Sequence, residues 1–276
     1  MLAALIIVFR EVFEAGLIVG IVLAVTRAVP NRNRWIGGGV LGGVLAACIV
    51  AAFTGALSQL FAGMGQELFN AAILAIAVIM LTWHNVWMAH HGRQIAGEMR
   101  AMGQAVADGS KPLLALAVVV GVAVLREGSE VALFLYGVAA SDGGSAPNLA
   151  IGGLIGLALG AGVCLLTYFG LMRIPQRALF TTTTVLITLL AAGMAAQAVA
   201  FLERANLLTP LDTVVWDSGW LLSEGSIAGR TLHTLIGYTD QPTQMQLVVY
   251  ATVLLATFML MRFTRSQPAT RGVATG

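Results

Sequence analysis

Apolar runs of about twenty residues or more dominate this chain, near residues 2–28, 36–57, 68–90, 112–140, 149–171, 179–202 and 245–263. Each can carry a helix across the roughly 30 Å hydrocarbon core of a bilayer. Backbone groups in lipid have no water to bond, which leaves helices or a closed barrel as the spanning structures. Barrel strands run about ten residues with alternating polarity, and these runs are twice that length without it. The chain therefore reads as all-α, a polytopic membrane protein with seven transmembrane helices. Its 58% hydrophobic and 10% charged content exceeds what a soluble core could hide. A net charge of +2 gives no footing for nucleic acid.

The first span resembles a secretory signal in length, but no basic segment precedes it and Arg10, Glu11 and Glu14 interrupt it, so it is expected to stay. Basic residues gather between alternate spans: Arg27, Arg32 and Arg34; Arg93, Arg100 and Lys111; Arg173 and Arg177; Arg262, Arg265 and Arg271. The positive-inside rule then puts the N-terminus outside and the C-terminus inside. Cys48 and Cys164 fall inside spans and read as small buried residues rather than a disulfide. Trp83, Trp87, Trp216 and Trp220 suit interfacial anchoring.

Two spans are interrupted by the same charged pattern, Arg10-Glu11-Val12-Phe13-Glu14 and Arg126-Glu127-Gly128-Ser129-Glu130. The copies lie 116 residues apart, as do Cys48 and Cys164, and the second and fifth spans are both rich in glycine and alanine. This argues for a three-helix unit used twice, followed by a seventh helix. Three spans is an odd number, so the second unit enters from the opposite side and the halves are inverted repeats. The expected layout is one transmembrane domain over 1–265, with repeat one about 1–92, repeat two about 110–203, an outer loop at 204–244 and the last helix at 245–263. Residues 266–276 read as a flexible cytoplasmic tail.

A charge near the middle of a transmembrane helix costs roughly 2.5 to 3.5 kcal/mol on insertion scales, so six of them mark a functional site. Helical rise puts Arg10 to Glu14 roughly 12 to 18 Å below the outer end, near the midplane where repeat transporters hold substrate. Within each motif the glutamates stand at i and i+3 on one face, with arginine four residues before the second. Four carboxylates against two guanidinium groups leave an excess of two negative charges, which suits a cation. Carboxylates favour hard or borderline metal ions over Cu(I). Glu11, Glu14, Glu127 and Glu130 are thus candidate metal ligands, with Arg10 and Arg126 balancing charge. A structural clamp between helices needs one acid per base, and here the second glutamate of each pair is surplus. Gly16 and Gly20 read as helix packing.

The two R-E-x-x-E motifs, in the first and fourth of seven spans, resemble the hallmark of the high-affinity iron permeases of the oxidase-dependent iron transporter type, its bacterial EfeU-like branch included. The segment from Val215-Trp216-Asp217-Ser218 through Gly237-Tyr238 and Pro242 to Gln246 is similar to that family's final outer loop. Val12-Phe13 and Gly128-Ser129 stand where many members have Gly-Leu, while the charged positions are intact. The resemblance covers essentially the whole chain. It implies a permease of the cytoplasmic (inner) membrane, not an enzyme, with iron as substrate and no permanently bound cofactor. It also implies a periplasmic iron-binding or ferroxidase/cupredoxin-like partner, or a membrane ferredoxin-like protein.

His84, Asn85 and Gln197 are candidates to line the path, because polar groups in spans face the interior. Asp217, Glu224 and Asp240 are candidates for cation capture in the outer loop. Competing readings are a transporter of another divalent metal such as manganese, and a membrane electron-transfer subunit. The latter needs facing histidines, and only His84 is deep. A retinal-type receptor needs a lysine in the last helix, whereas the chain's only lysine is Lys111. There is no G-x-x-x-x-G-K-[ST] loop for ATP.

Overall fold

The structure, a computed structural model, describes residues 1–60, 66–142, 146–170, 176–208 and 211–265. Among these lie eight helices: α1 (Leu2–Val25), α2 (Arg32–Leu60), α3 (Gln66–Ala107), α4 (Leu114–Asp142), α5 (Ala146–Tyr168), α6 (Gln176–Arg204), α7 (Ile227–Ile236) and α8 (Gln244–Arg265). The described residues hold no strand, only an isolated bridge between Val214 and Thr243. The expected tail at 266–276, with Arg271, and the loop residue Arg173 lie outside the described residues.

Among the described residues five helices, α2, α3, α5, α6 and α8, contain a stretch of 18 residues apolar enough to cross a membrane with no more than two charges. The two that carry the motifs, α1 and α4, have 24 and 29 residues but hold three charges each near the middle. Large side chains such as Ile49, Phe53, Leu154 and Phe258 point outward, at 70%, 69%, 65% and 59% exposure. An apolar exterior of that kind is what a lipid-facing surface requires. The chain is a multi-pass helical membrane protein.

Glycine and alanine in α2 and α5 let backbones approach closely, which drives helix association where lipid offers no hydrophobic gain. α2 lies against α4, and a Cβ added at Gly43 would stand 2.6 Å from the Gly121 carbonyl oxygen. α5 lies against α1 in the same manner, with Gly156 as close to the Leu5 carbonyl. α3 packs on α6, α4 on both α1 and α3, and α8 on α6.

The end of α1 is tied off by Arg32 Nη1, which donates to the Leu23 carbonyl at 2.7 Å, and by the Thr26 hydroxyl, which donates to Val22 O. The first satisfies a carbonyl that the helix itself leaves open, and the second adds to the Thr26 N–H bond that Val22 O already accepts.

Three local expectations are corrected. The segment after residue 90, read as a loop, is helical as far as Ala107. Met99 and Val106 there pack with Val22 at the C-terminal end of α1 and with Leu116 and Val120 at the N-terminal end of α4, and Gly103 lies against Val25. The segment expected as an outer loop contains α7, started by Ser226, whose side chain accepts from Gly229 N–H, and ended by Gly237 at φ 69°. Cys48 is exposed rather than buried, while Cys164 packs against Phe13 and Gly16 of α1. Both cysteines are free.

Two apolar layers flank the charged motifs. Ile7, Leu81, Phe134 and Ile187 belong to one, and Val22, Ile36, Leu116 and Val120 to the other. Along α1 and α4 the motif lies between a residue of each layer.

Candidate metal centre

Helical periodicity forms the pair inside each motif. Arg10 Nε lies 3.0 Å from Glu14 Oε1 and Arg126 Nε 3.3 Å from Glu130 Oε1, both at i,i+4. Arg10 also reaches its neighbour, with Nη1 3.2 Å from Glu11 Oε1. The arginine therefore spans two carboxylates rather than gripping one through both nitrogens. Arg126 Nε is 3.8 Å from Glu127 Oε1.

α1 and α4 bring the two motifs face to face, and α3 inserts His84 between them. His84 Nδ1 is in direct contact with Glu130 Oε2. Nε2 lies 3.8 Å from Glu11 Oε2 and 3.7 Å from Glu14 Oε2. One ligand atom from each of Glu11, His84, Glu127 and Glu130 falls within 4.8 Å of the others, the one such cluster among the described residues.

The group is almost sealed. Side-chain exposure is 2% at Arg10, 0% at Glu11, 1% at Glu14, 4% at His84 and 4% at Glu127. Buried polar atoms are normally hydrogen-bonded, and leaving one unpaired costs about 1 to 3 kcal/mol, more for a charge. Here Glu11 Oε2, Glu14 Oε2, Glu127 Oε2 and His84 Nε2 all lack a hydrogen-bond partner. Unpaired oxygens and a ring nitrogen gathered in one buried cluster are what a desolvated cation would satisfy.

The remaining expected residues divide. Asn85 turns to α6, where its Nδ2 donates to Thr188 Oγ1 at 3.4 Å. Gln197 is 2.6 Å from His233 Nε2, a link between α6 and α7. The acids expected to capture cations tie the segment around α7 together. Asp217 accepts from Gly219 N–H at 2.8 Å and from Gln241 Nε2 at 2.9 Å, and Asp240 accepts from Glu224 N–H at 3.1 Å. Glu224 Oε1 stands 3.2 Å from His233 Nδ1.

Sequence reasoning overlooked the setting of Arg126. Its guanidinium lies 4.1 Å from the centre of the Trp87 ring, and its Nη2 is 3.9 Å from Met88 Sδ. Trp87, a residue type suited to interfacial anchoring, also supports a motif arginine. The signal was there in outline, since Trp87 and Met88 follow His84 by three and four residues on one helical face.

Over residues 1–265 the chain matches the Iron permease FTR1 family. It is 32% identical over 260 residues to the ferrous iron permease EfeU of Escherichia coli O6:H1, covering 92% of this chain and 93% of that protein. The ferrous iron permease EfeU of Yersinia pestis is 31% identical over 265 residues, with 94% and 93% covered. A putative inactive ferrous iron permease EfeU of Escherichia coli K12 is 30% identical over 260 residues, with 92% and 93% covered. No solved structure matches. The chain belongs to the FTR1 iron permease family, and is a transporter rather than an enzyme.

Proposed function

We propose that this protein moves ferrous iron across the cytoplasmic (inner) membrane through a midplane site built from both R-E-x-x-E motifs. The observation that carries the reading is the enclosed ligand set: carboxylates of both motifs converge with no hydrogen-bond partner for Glu11 Oε2, Glu14 Oε2 and Glu127 Oε2. Glu11, Glu14, Glu127 and Glu130 act as ligands, and Arg10 and Arg126 hold the carboxylates in place between passages of the ion. Binding at an acid-rich site releases protons, so uptake falls as the medium is acidified.

The site sits in seven spans arranged as two inverted three-helix units plus a last helix, N-terminus outside and C-terminus inside. Helix packing supports the repeat. Exchanging α1, α2, α3 with α4, α5, α6 turns the α1–α5 contact into α4–α2, and maps α1–α4 and α3–α6 onto themselves. On this reading Asp217, Glu224 and Asp240 lie in the outer loop, where an extracytoplasmic iron-delivering or oxidising partner meets the permease.

The test is entry of radioactive iron into proteoliposomes, offered as Fe(II) and as Fe(III), for wild type beside the Glu14→Ala, Glu130→Ala double variant. The expected result is Fe(II) uptake by wild type and its loss in the variant. Equal uptake by both proteins overturns the site.

A further inference from the structure

Four carboxylates alone make a poor iron filter, because oxygen-only sites also take magnesium, calcium and manganese, ions of the same charge. The fold adds one nitrogen donor to this site, and it comes from outside both motifs. His84 is 4% exposed and stands on α3, and its ring packs edge-on against Phe134 with centroids 6.2 Å apart. The next residue along, Asn85, is anchored to Thr188 of α6. The ring is therefore packed on α4, and the helix that carries it is tied to α6.

The two ring nitrogens have different work. Nδ1 faces Glu130 Oε2 in direct contact, and a hydrogen donated there leaves the Nε2 lone pair on the opposite side. That side holds Glu11 Oε2 at 3.8 Å and Glu14 Oε2 at 3.7 Å. Those separations are too long for hydrogen bonds, and Nε2 has no hydrogen-bond partner. They are close to what one ion demands: ligands about 2.1 Å from a metal stand roughly 3.0 to 3.4 Å apart in octahedral or tetrahedral geometry. A contraction of about 0.3 to 0.8 Å would bring Nε2 to that spacing from both oxygens.

We propose that His84 Nε2 is a direct ligand of the transported ion and the residue that makes the site prefer a transition metal to an alkaline-earth ion. Imidazole suits iron, zinc, copper and nickel, whereas carboxylate, carbonyl and water suit magnesium, calcium and manganese. Glu130, counted above among the motif ligands, then lies across the ring from the ion, its Oε1 held by Arg126, and orients the ring through Nδ1, the arrangement common to metal-bound histidines. The inference rests on the motif site proposed above and assigns its selectivity to a residue that neither motif contains.

The test is equilibrium binding of radioactive Fe(II) to the purified full-length protein under anaerobic conditions, with competition by Mg(II), Ca(II) and Mn(II). His84→Gln is expected to weaken Fe(II) binding about tenfold or more while Mg(II) and Ca(II) affinities change less than about threefold. X-ray absorption of Fe(II)-loaded wild type, which needs no variant, is expected to show the scattering of a coordinated imidazole ring. Iron and magnesium affinities that fall together in His84→Gln, or an iron shell with no imidazole, overturn the proposal. The Glu14→Ala, Glu130→Ala variant separates the two levels. If it binds iron like wild type, the motif site itself is wrong; if it loses iron while His84→Gln keeps its Fe(II) preference, only the role of His84 is wrong.

Discussion

The two copies of the motif carry the same charges at the same spacing and end in different surroundings. In the first, Arg10 is 2% exposed and Glu14 1%. In the second, Arg126 is 35% exposed and Glu130 16%. Helical geometry treats the copies alike, since both arginines reach the glutamate one turn on. The neighbours do not. Arg10 is closed in on a helix packed by α3, α4, α5 and α6, whereas Arg126 rests on the face of Trp87 with Met88 beside it. An identical sequence pattern is thus a sealed anchor in one helix and a partly open flank in the other, and the difference is set by what packs around it.

The strongest way to break this comparison is to remove each arginine in turn. Arg10→Ala leaves Glu11 and Glu14 buried without their counter-charge and is expected to destabilise the fold by about 3 to 5 kcal/mol. Arg126→Ala, at the less enclosed position, is expected to cost less, about 0.5 to 2 kcal/mol, the worth of its contact with Trp87. Thermal unfolding in detergent reads both, and equal losses would erase the distinction.

A smaller effect sharpens the packing side. Gly16 touches Cys164, so Gly16→Ala forces a methyl into that contact and is expected to cost about 1 to 3 kcal/mol. Gly20 has nothing within 4 Å of an added Cβ, and Gly20→Ala is expected to be neutral or to gain up to about 1 kcal/mol from helix propensity. The same unfolding measurement compares them. Both glycines read as packing residues in the sequence, and only Gly16 is one.

The smallest effect concerns the open flank. Trp87→Ala removes the ring under Arg126 and is expected to cost about 0.5 to 2 kcal/mol through the lost cation–π contact. Adding Arg126→Ala to it should cost little more, because the partner has already gone. Additive losses in the double-mutant cycle would mean that the stack contributes nothing.

Much of this protein is legible before any fold is known. Lipid admits few backbone solutions, so long apolar runs dictate helices. The 3.6-residue turn dictates that Arg10 meets Glu14 and Arg126 meets Glu130. The glycines of α2 and α5 announce close helix contacts, because only small side chains let backbones approach. The C-terminal part of α3 reads as a loop, since its polar residues mask the Met99, Gly103 and Val106 face that packs on α1 and α4. Cys48 and Cys164 look equivalent at a shared offset, yet one faces outward and the other touches α1.

By itself the sequence determined the helices, the charged motifs within them and the pairing inside each motif, all consequences of local geometry and of the solvent that surrounds the chain. Only the tertiary structure decided that the motifs converge, that His84 of α3 stands between them and that one arginine is sealed while the other is not. Those outcomes depend on which faces of separate helices are pressed together, and no periodicity within a single helix contains that information.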